Sequence, residues 1–263
     1  MFDLNTFCFD ADKYDIFEGM TSISAVIKSI LSGTSDRHII AILYSERFSD
    51  KLSRDLIFLR SKSDILDFAP IPVEPDIIDG LTAGKTHGGI IAICTKRSFP
   101  SDFSAVLPGT SFYALIDGIE DPYNFAYSIR SLYASGVDGI VLPQRNWMEF
   151  SGTVARSSAG TSELVNMYVC DTVEAVKKFK DAGFKVVCAS IRDSVSIYDC
   201  DFRTPVLLIA GGEKRGISRK LLDMSDVNIR INYGRDFMGS LPSASAISII
   251  AFEIANQKSL LKK

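Results

Sequence analysis

IAGGEKRGI, residues 209–217, completes an apolar run that begins at Pro205 (PVLLIA). A Val-, Leu- and Ile-rich run halted by two consecutive glycines reads as a buried strand ending at a tight loop. Gly211 and Gly212 free the backbone to approach a ligand closely. Glu213 adds a lone carboxylate, Lys214 and Arg215 a basic pair, and Gly216 a third glycine. A second strand, VNIRI (227–231), leads to a polar loop framed by Gly234 and Gly239, and Ser240-Leu241-Pro242 opens a long apolar helix. Two glycine-bearing loops after two strands make a crevice of the kind open α/β sheets place at strand carboxyl ends. Two ordinary strand-to-helix turns would show the same spacing. The glycine pattern is neither a Walker loop nor a dinucleotide fingerprint.

Outward from this stretch, strands and helices alternate from Phe112 to the end. Strands are expected at 112–116 (FYALI), 139–142 (GIVL), 185–189 (KVVCA), 205–210 and 227–231. Helices are expected at about 122–135, 146–158, 172–182, 215–223 and 242–261. Alternation at this spacing predicts a mostly parallel sheet with helices on both faces. The final KSLLKK places cations at a helix C-terminus, where they suit its dipole.

The N-terminal third predicts a smaller α/β unit. Thr21 or Ser22 can cap a helix through Leu31, whose stripe Ile23, Val26, Ile27, Ile30 and Leu31 has the helical period, and Gly33 stops it. HIIAILYS (38–45) and IIAIC (90–94) read as strands, 49–60 and 77–81 as helices, and PIPVEP (70–75) as a loop with a short edge strand. The Ser- and Pro-rich stretch 94–111 lacks periodicity. The expected domains are therefore 1–96, a linker over 97–111, and 112–263.

Composition excludes several classes. With 263 residues, 46% hydrophobic and 23% charged, the chain is ordinary globular protein. No apolar run approaches a membrane span, and the acidic start MFDLNTFCFDADKYD is not a secretory signal. Five cysteines without C-x-x-C pairing and two distant histidines, His38 and His87, argue for a reduced cytoplasmic setting and against a metal site. The net charge of −3 argues against sequence-blind nucleic-acid binding. It is unevenly spread: residues 1–110 carry 11 Lys and Arg against 15 Asp and Glu, whereas 111–263 carry 18 against 17. Lys214, Arg215, Arg219 and Lys220 cluster beside the glycine loop, as a solvated helix face or an anion-binding surface.

DGIEDPYNFAYSIRSLYASG (117–136) is the most informative helix. Asp121 suits an N-cap, Pro122 the first helical position and Gly136 the stop. Phe125, Ile129 and Leu132 form a core stripe. Arg130, six residues after Asn124, is rotated about 240° from it, so the two lie on different faces.

These blocks, in their order, resemble the SpoU (TrmH-like) branch of the SPOUT RNA methyltransferases. Asp117, Asp121-Pro122, Asn124 and Arg130 resemble its first motif, and VDGIVLP (137–143) the strand that follows. SSAGTSE (157–163) resembles its Ser-Ala-Gly segment, AGGEKRGIS its second motif, and INYGRDFMGSLPSASAISIIAFE its third. EGMTSISAVIKSIL and IDGLTAGKTHGGIIAI resemble the small substrate-binding domain attached to many members. Two positions depart: Ala126 stands where a glycine is usual, and Pro242 where the third motif has asparagine.

The resemblance implies a deep trefoil knot at the C-terminal end forming an S-adenosyl-L-methionine pocket. It also implies a homodimer through the C-terminal domain, and methyl transfer to a ribose 2′-hydroxyl of tRNA or rRNA. It assigns Arg130, Asn124, Glu213 and Ser240 to catalysis, and Ala189, Gly211, Gly212, Gly216, Ile231, Ser240 and Leu241 to the cofactor. Arg130, Lys214, Arg215, Lys85 and His87 are the expected RNA contacts. An arginine is a poor free base, so a phosphate clamp suits Arg130 better than proton removal. Pro242 cannot replace an asparagine side chain, which keeps open a catalytically impaired RNA-binding or assembly protein. Methylation of a base on the same scaffold is the other alternative.

Overall fold

The computed structural model describes residues 9–82, 87–102, 111–144 and 151–259. Chain contacts divide the protein into two units: residues 1–98 with 146–164, and residues 99–145 with 165–263.

The first unit has a four-stranded sheet in the order β1 (Tyr14–Glu18), β4 (Ile90–Thr95), β2 (Ile39–Ser45) and β3 (Pro70–Val73). β3 pairs parallel with β2, and the other neighbours are antiparallel. The proline-spaced β3 lies at the sheet edge, where a strand tolerates residues that cannot donate to the ladder. The helices are α1 (Gly19–Leu31), α2 (Ser53–Leu66) and α3 (Pro75–Leu81). α1 starts earlier than its Thr and Ser pattern predicts. Glu18 is its N-cap, and Ser22 is buried on the packed face beside Ile23, Val26 and Ile27.

Two features of this unit differ from the sequence expectation. Arg97 and Ser98, expected in the linker, fold into it: Arg97 Nη2 donates to the Thr34 carbonyl at 2.8 Å, and Ser98 N and Oγ both donate to Asp36. The other is α5 (Ser151–Ser157) and α6 (Thr161–Leu164), expected in the C-terminal domain but packed on β1 and α1. Small residues permit the approach. A side chain on Gly152 would lie 2.1 Å from the Ile16 carbonyl oxygen, and one on Gly160 (φ +83°) 2.5 Å from the Ala25 methyl. Buried charge fixes the segment. Arg37 Nη1 meets Asp15 at 2.6 Å and the Thr95 carbonyl at 2.7 Å, and its Nε meets Glu163 at 2.9 Å. Lys96 reaches the other Asp15 oxygen at 2.7 Å.

The second unit is a seven-stranded sheet, parallel at every pairing. Its order is β7 (Met167–Val169), β6 (Gly139–Leu142), β5 (Phe112–Asp117), β10 (Val206–Gly211), β8 (Lys185–Ala189), β11 (Val227–Arg230) and β9 (Ser194–Ser196). Late strands enter between earlier ones: β10 between β5 and β8, and β11 between β8 and β9. The central strands are buried on both faces, which is why their sequences are continuous apolar runs. The helices are α4 (Pro122–Ala134), α7 (Thr172–Asp181), α8 (Arg219–Leu222) and α9 (Ser243–Gln257). α8 is shorter than the expected 215–223, because Gly216 is left-handed (φ +64°) and Ser218 N is fastened to Asp117 at 2.9 Å.

Candidate functional site

Because the sheet is parallel, the carboxyl ends of β5, β10, β8 and β11 line up along one edge. They bring Asp117, Gly211, Ala189 and Arg230, followed by Ile231, into a row. The chain progresses outward through β5, β6 and β7, then crosses to β8 on the other side. This reversal is the kind of place where open α/β sheets hold ligands.

Asp117 organises the glycine loop. Its backbone oxygen accepts from Gly212 N at 2.9 Å, and its carboxylate accepts from Ser218 N at 2.9 Å. Gly216 N donates back to the Gly212 carbonyl at 2.9 Å, closing a turn from which Glu213, Lys214 and Arg215 project exposed. The glycines are needed for contacts within the chain. A Cβ on Gly212 would stand 1.9 Å from the Gly118 carbonyl oxygen, and one on Gly211 would stand 2.2 Å from the Gly216 carbonyl carbon. Whatever they offer a ligand, these glycines are required by the close approach of three backbone segments.

Glu213 is the focus of the site. Asp121 caps α4 by accepting from Asn124 N at 2.8 Å, which sets Asn124 in the first helical turn. From there Asn124 Nδ2 donates to Glu213 Oε1 at 2.8 Å. Ser243 Oγ, at the first residue of α9, donates to the same oxygen at 3.3 Å. Motif residues from α4, the β10 loop and α9 thus converge on one carboxylate oxygen, and among the described residues Oε2 accepts no hydrogen bond. Ser243 was not singled out in the sequence. It supplies a polar side chain one residue after Pro242, which is the N-cap and carries none.

The remaining expected residues are placed as follows. Arg130 is exposed on α4 in a stripe with Tyr123 and Tyr127, away from Asn124, and among the described residues it makes no ion pair. Ser240 is exposed, and Leu241 N donates to the Tyr233 hydroxyl at 3.2 Å, so that amide is engaged. Ala189 and Ile231 are partly buried at adjacent strand ends. Lys214 pairs loosely with Glu120 at 3.4 Å, whereas Arg215 makes no ion pair among the described residues. His87 is buried, with Nδ1 accepting from Gly89 N at 3.1 Å and Nε2 meeting Asp79 at 2.9 Å. That arrangement is a turn brace with both ring nitrogens engaged. Lys85 lies outside the described residues. Among the described residues no group of His, Cys, Asp and Glu is arranged to hold a metal, and no helix is long and apolar enough to cross a membrane.

The parallel sheet with this carboxyl-edge site defines the class. The same fold is found in an rRNA methyltransferase from Sinorhizobium meliloti (TM-score 0.77, 23% identity, covering 95% of this chain and 88% of that one). It also occurs in AviRb, a SpoU methyltransferase from Streptomyces viridochromogenes solved with AdoMet (TM-score 0.74, 20% identity, 94% and 91%). In sequence, a Staphylococcus haemolyticus protein assigned to the TrmH family of tRNA/rRNA methyltransferases is 27% identical over 241 residues, covering 89% of this chain and 93% of that protein. Residues 111–252 match the model of the SpoU rRNA methylase family, and the chain belongs to that family.

Proposed function

We propose that this protein transfers a methyl group from S-adenosyl-L-methionine to a ribose 2′-hydroxyl of tRNA or rRNA, acting in the cytoplasm as a homodimer. The observation that carries the reading is the convergence of Asn124 and Ser243 on Glu213 at the carboxyl edge of the sheet. Family membership and the AdoMet complex of AviRb support it.

The strand ends fit an adenosine-type ligand. Ala189, Gly211 and Ile231 offer small or apolar side chains with backbone polar groups at three adjacent strands. Insertion of β10 and β11 between earlier strands is compatible with the trefoil knot that the family resemblance implies. When bound, the cofactor supplies an already activated methyl on a sulfonium. The protein has to position the hydroxyl in line and accommodate its departing proton. Glu213, oriented through Oε1, keeps Oε2 for a hydrogen bond from the substrate hydroxyl or from an arginine. Arg130, exposed and without an ion pair among the described residues, holds an RNA phosphate by charge-assisted hydrogen bonds. Lys214 and Arg215 extend that cationic surface.

Dimerisation has its own support. Tyr123 and Tyr127 on α4 and Ile249 and Phe252 on α9 are exposed, and the two helices are joined by the Ser248–Ser131 hydroxyl contact at 2.6 Å. A second copy would cover this apolar surface.

Two measurements test the reading. Saturating S-adenosyl-homocysteine should raise the melting temperature by ligand linkage. Methylated RNA digested to nucleosides should carry the label on ribose. Label on a base would replace the ribose reading, and cofactor binding without any transfer would favour an RNA-binding protein.

A further inference from the structure

The loop between β11 and α9 presents apolar side chains to solvent. Met238 is fully exposed, Phe237 is 56% exposed and Tyr233 is 38% exposed. Exposed apolar side chains of this size have a hydration cost, and grouped beside a functional site they mark a contact surface.

The group is ordered by specific contacts. Tyr233 and Phe237 pack at 5.7 Å between ring centroids with a 59° tilt. The Tyr233 hydroxyl accepts from Leu241 N, anchoring that ring to the segment that opens α9. Phe237 lies along Gly239, where any Cβ would stand 2.6 Å from its ring. Two residues beyond Leu241, Ser243 reaches Glu213. The aromatic pair is thus tied by short covalent and hydrogen-bonded steps to the proposed catalytic carboxylate.

Charge chooses the occupant. Among the described residues Arg235 of this loop and Arg215 of the β10 loop, which Glu213 joins to Ser243, are exposed and make no ion pair; the acids of the same two loops are Asp236 and Glu213. Exposed aromatic rings on a loop that carries an arginine without an ion pair suit a polyanion with flat apolar rings, and single-stranded nucleic acid is bound by stacking combined with backbone charge.

We propose that Tyr233 and Phe237, with Met238 beside them, form a stacking platform for an unpaired RNA base next to the reacting ribose. The proposal rests on the methyltransferase reading for its substrate, and it assigns base recognition to Tyr233, Phe237 and Met238, none of which is among the residues expected to act in chemistry or cofactor binding.

The test compares two fluorescein-labelled decamers, oligoriboadenylate and an abasic ribose-phosphate chain of equal length, binding to the full-length protein. The wild type should bind the adenylate about tenfold more tightly than the abasic chain, in line with stacking on a single aromatic. Phe237→Ala should remove that preference, Phe237→Trp should keep it, and S-adenosyl-homocysteine affinity should be the same in all three. Equal binding of the two decamers by the wild type would overturn the proposal. A parallel loss of S-adenosyl-homocysteine affinity in Phe237→Ala would give the ring to the cofactor's adenine instead, and a changed molecular mass would give it to a second copy. If the wild type prefers the adenylate yet methylates no RNA, the methyltransferase reading fails while the platform stands. If transfer proceeds with an unchanged KM in Phe237→Ala, the platform fails alone.

Discussion

Replacing Glu163 with alanine should destabilise the first unit more than any surface substitution in the chain. Glu163 is 3% exposed and Arg37 2% exposed, and they meet through Nε at 2.9 Å with a second, longer contact of 3.4 Å. Removing the carboxylate leaves Arg37 and Lys96 sharing Asp15, and leaves the buried Arg97 with Asp36 as its remaining carboxylate. Breaking one side of a buried pair costs about 3–5 kcal/mol, because the surviving charge stays desolvated. For a unit of this size that lowers its melting transition by about 10 °C or more. Thermal denaturation followed by far-UV circular dichroism reads the shift directly. Glu174→Ala is the control: its partner Lys177 is on the surface, with the two side chains 63% and 57% exposed, and exposed pairs contribute little. A shift below about 2 °C in Glu163→Ala, or equal shifts in both variants, would refute the claim that buried charge anchors residues 151–164.

Three further outcomes follow from the second unit. Asn124→Ala and Ser243→Ala should each lower the transfer rate about tenfold, and the double variant little more, because both act through one oxygen of Glu213; steady-state kinetics of the cycle measures the coupling. Gly212→Ala should cost about 3 kcal/mol and remove cofactor binding, since its methyl has no room beside the Gly118 carbonyl, and urea unfolding with a ligand-induced melting shift checks both. Burial pushes the Cys188 thiol from 9.0 up to about 11, opposed by a hydrogen bond involving Ser225. The unfolded chain therefore loses this proton first. The thiol's contribution to stability is full below pH 9 and declines as the pH rises toward 11. Urea midpoints across that range should fall more steeply for the wild type than for Cys188→Ala.

Much of this fold was legible because its signals are local. The continuous apolar runs at 112–116, 185–189 and 205–210 became central strands, since burial on both faces leaves no room for alternation. Asp121, Pro122 and Gly136 bounded α4 as their backbone chemistry requires. β7 and β9 escaped because three residues carry no period, and β1 because its acidic side chains masked the alternation in YDIFE. The destination of residues 151–164 was illegible for another reason. Arg37 and Glu163 are 126 residues apart, and nothing in either neighbourhood announces the other. Within the candidate site, the motifs single out Asn124 and Glu213, and the structure joins them by a hydrogen bond. Ser243 was passed over because it sits among small helix-forming residues, and only the fold shows it facing the carboxylate. His87, an RNA contact in the family resemblance, sits in a turn in which Asp79 and Gly89 engage its two ring nitrogens.

The most direct measurement is transfer of labelled methyl from S-adenosyl-L-methionine to total RNA lacking this protein's modification, with wild-type protein and Arg130→Ala side by side. The expected result is label on ribose with the wild type and almost none with the variant, while both bind S-adenosyl-homocysteine equally. Absence of label on tRNA, rRNA and ribosomal subunits alike, with cofactor bound, would contradict methyl transfer as the function of the Glu213 site.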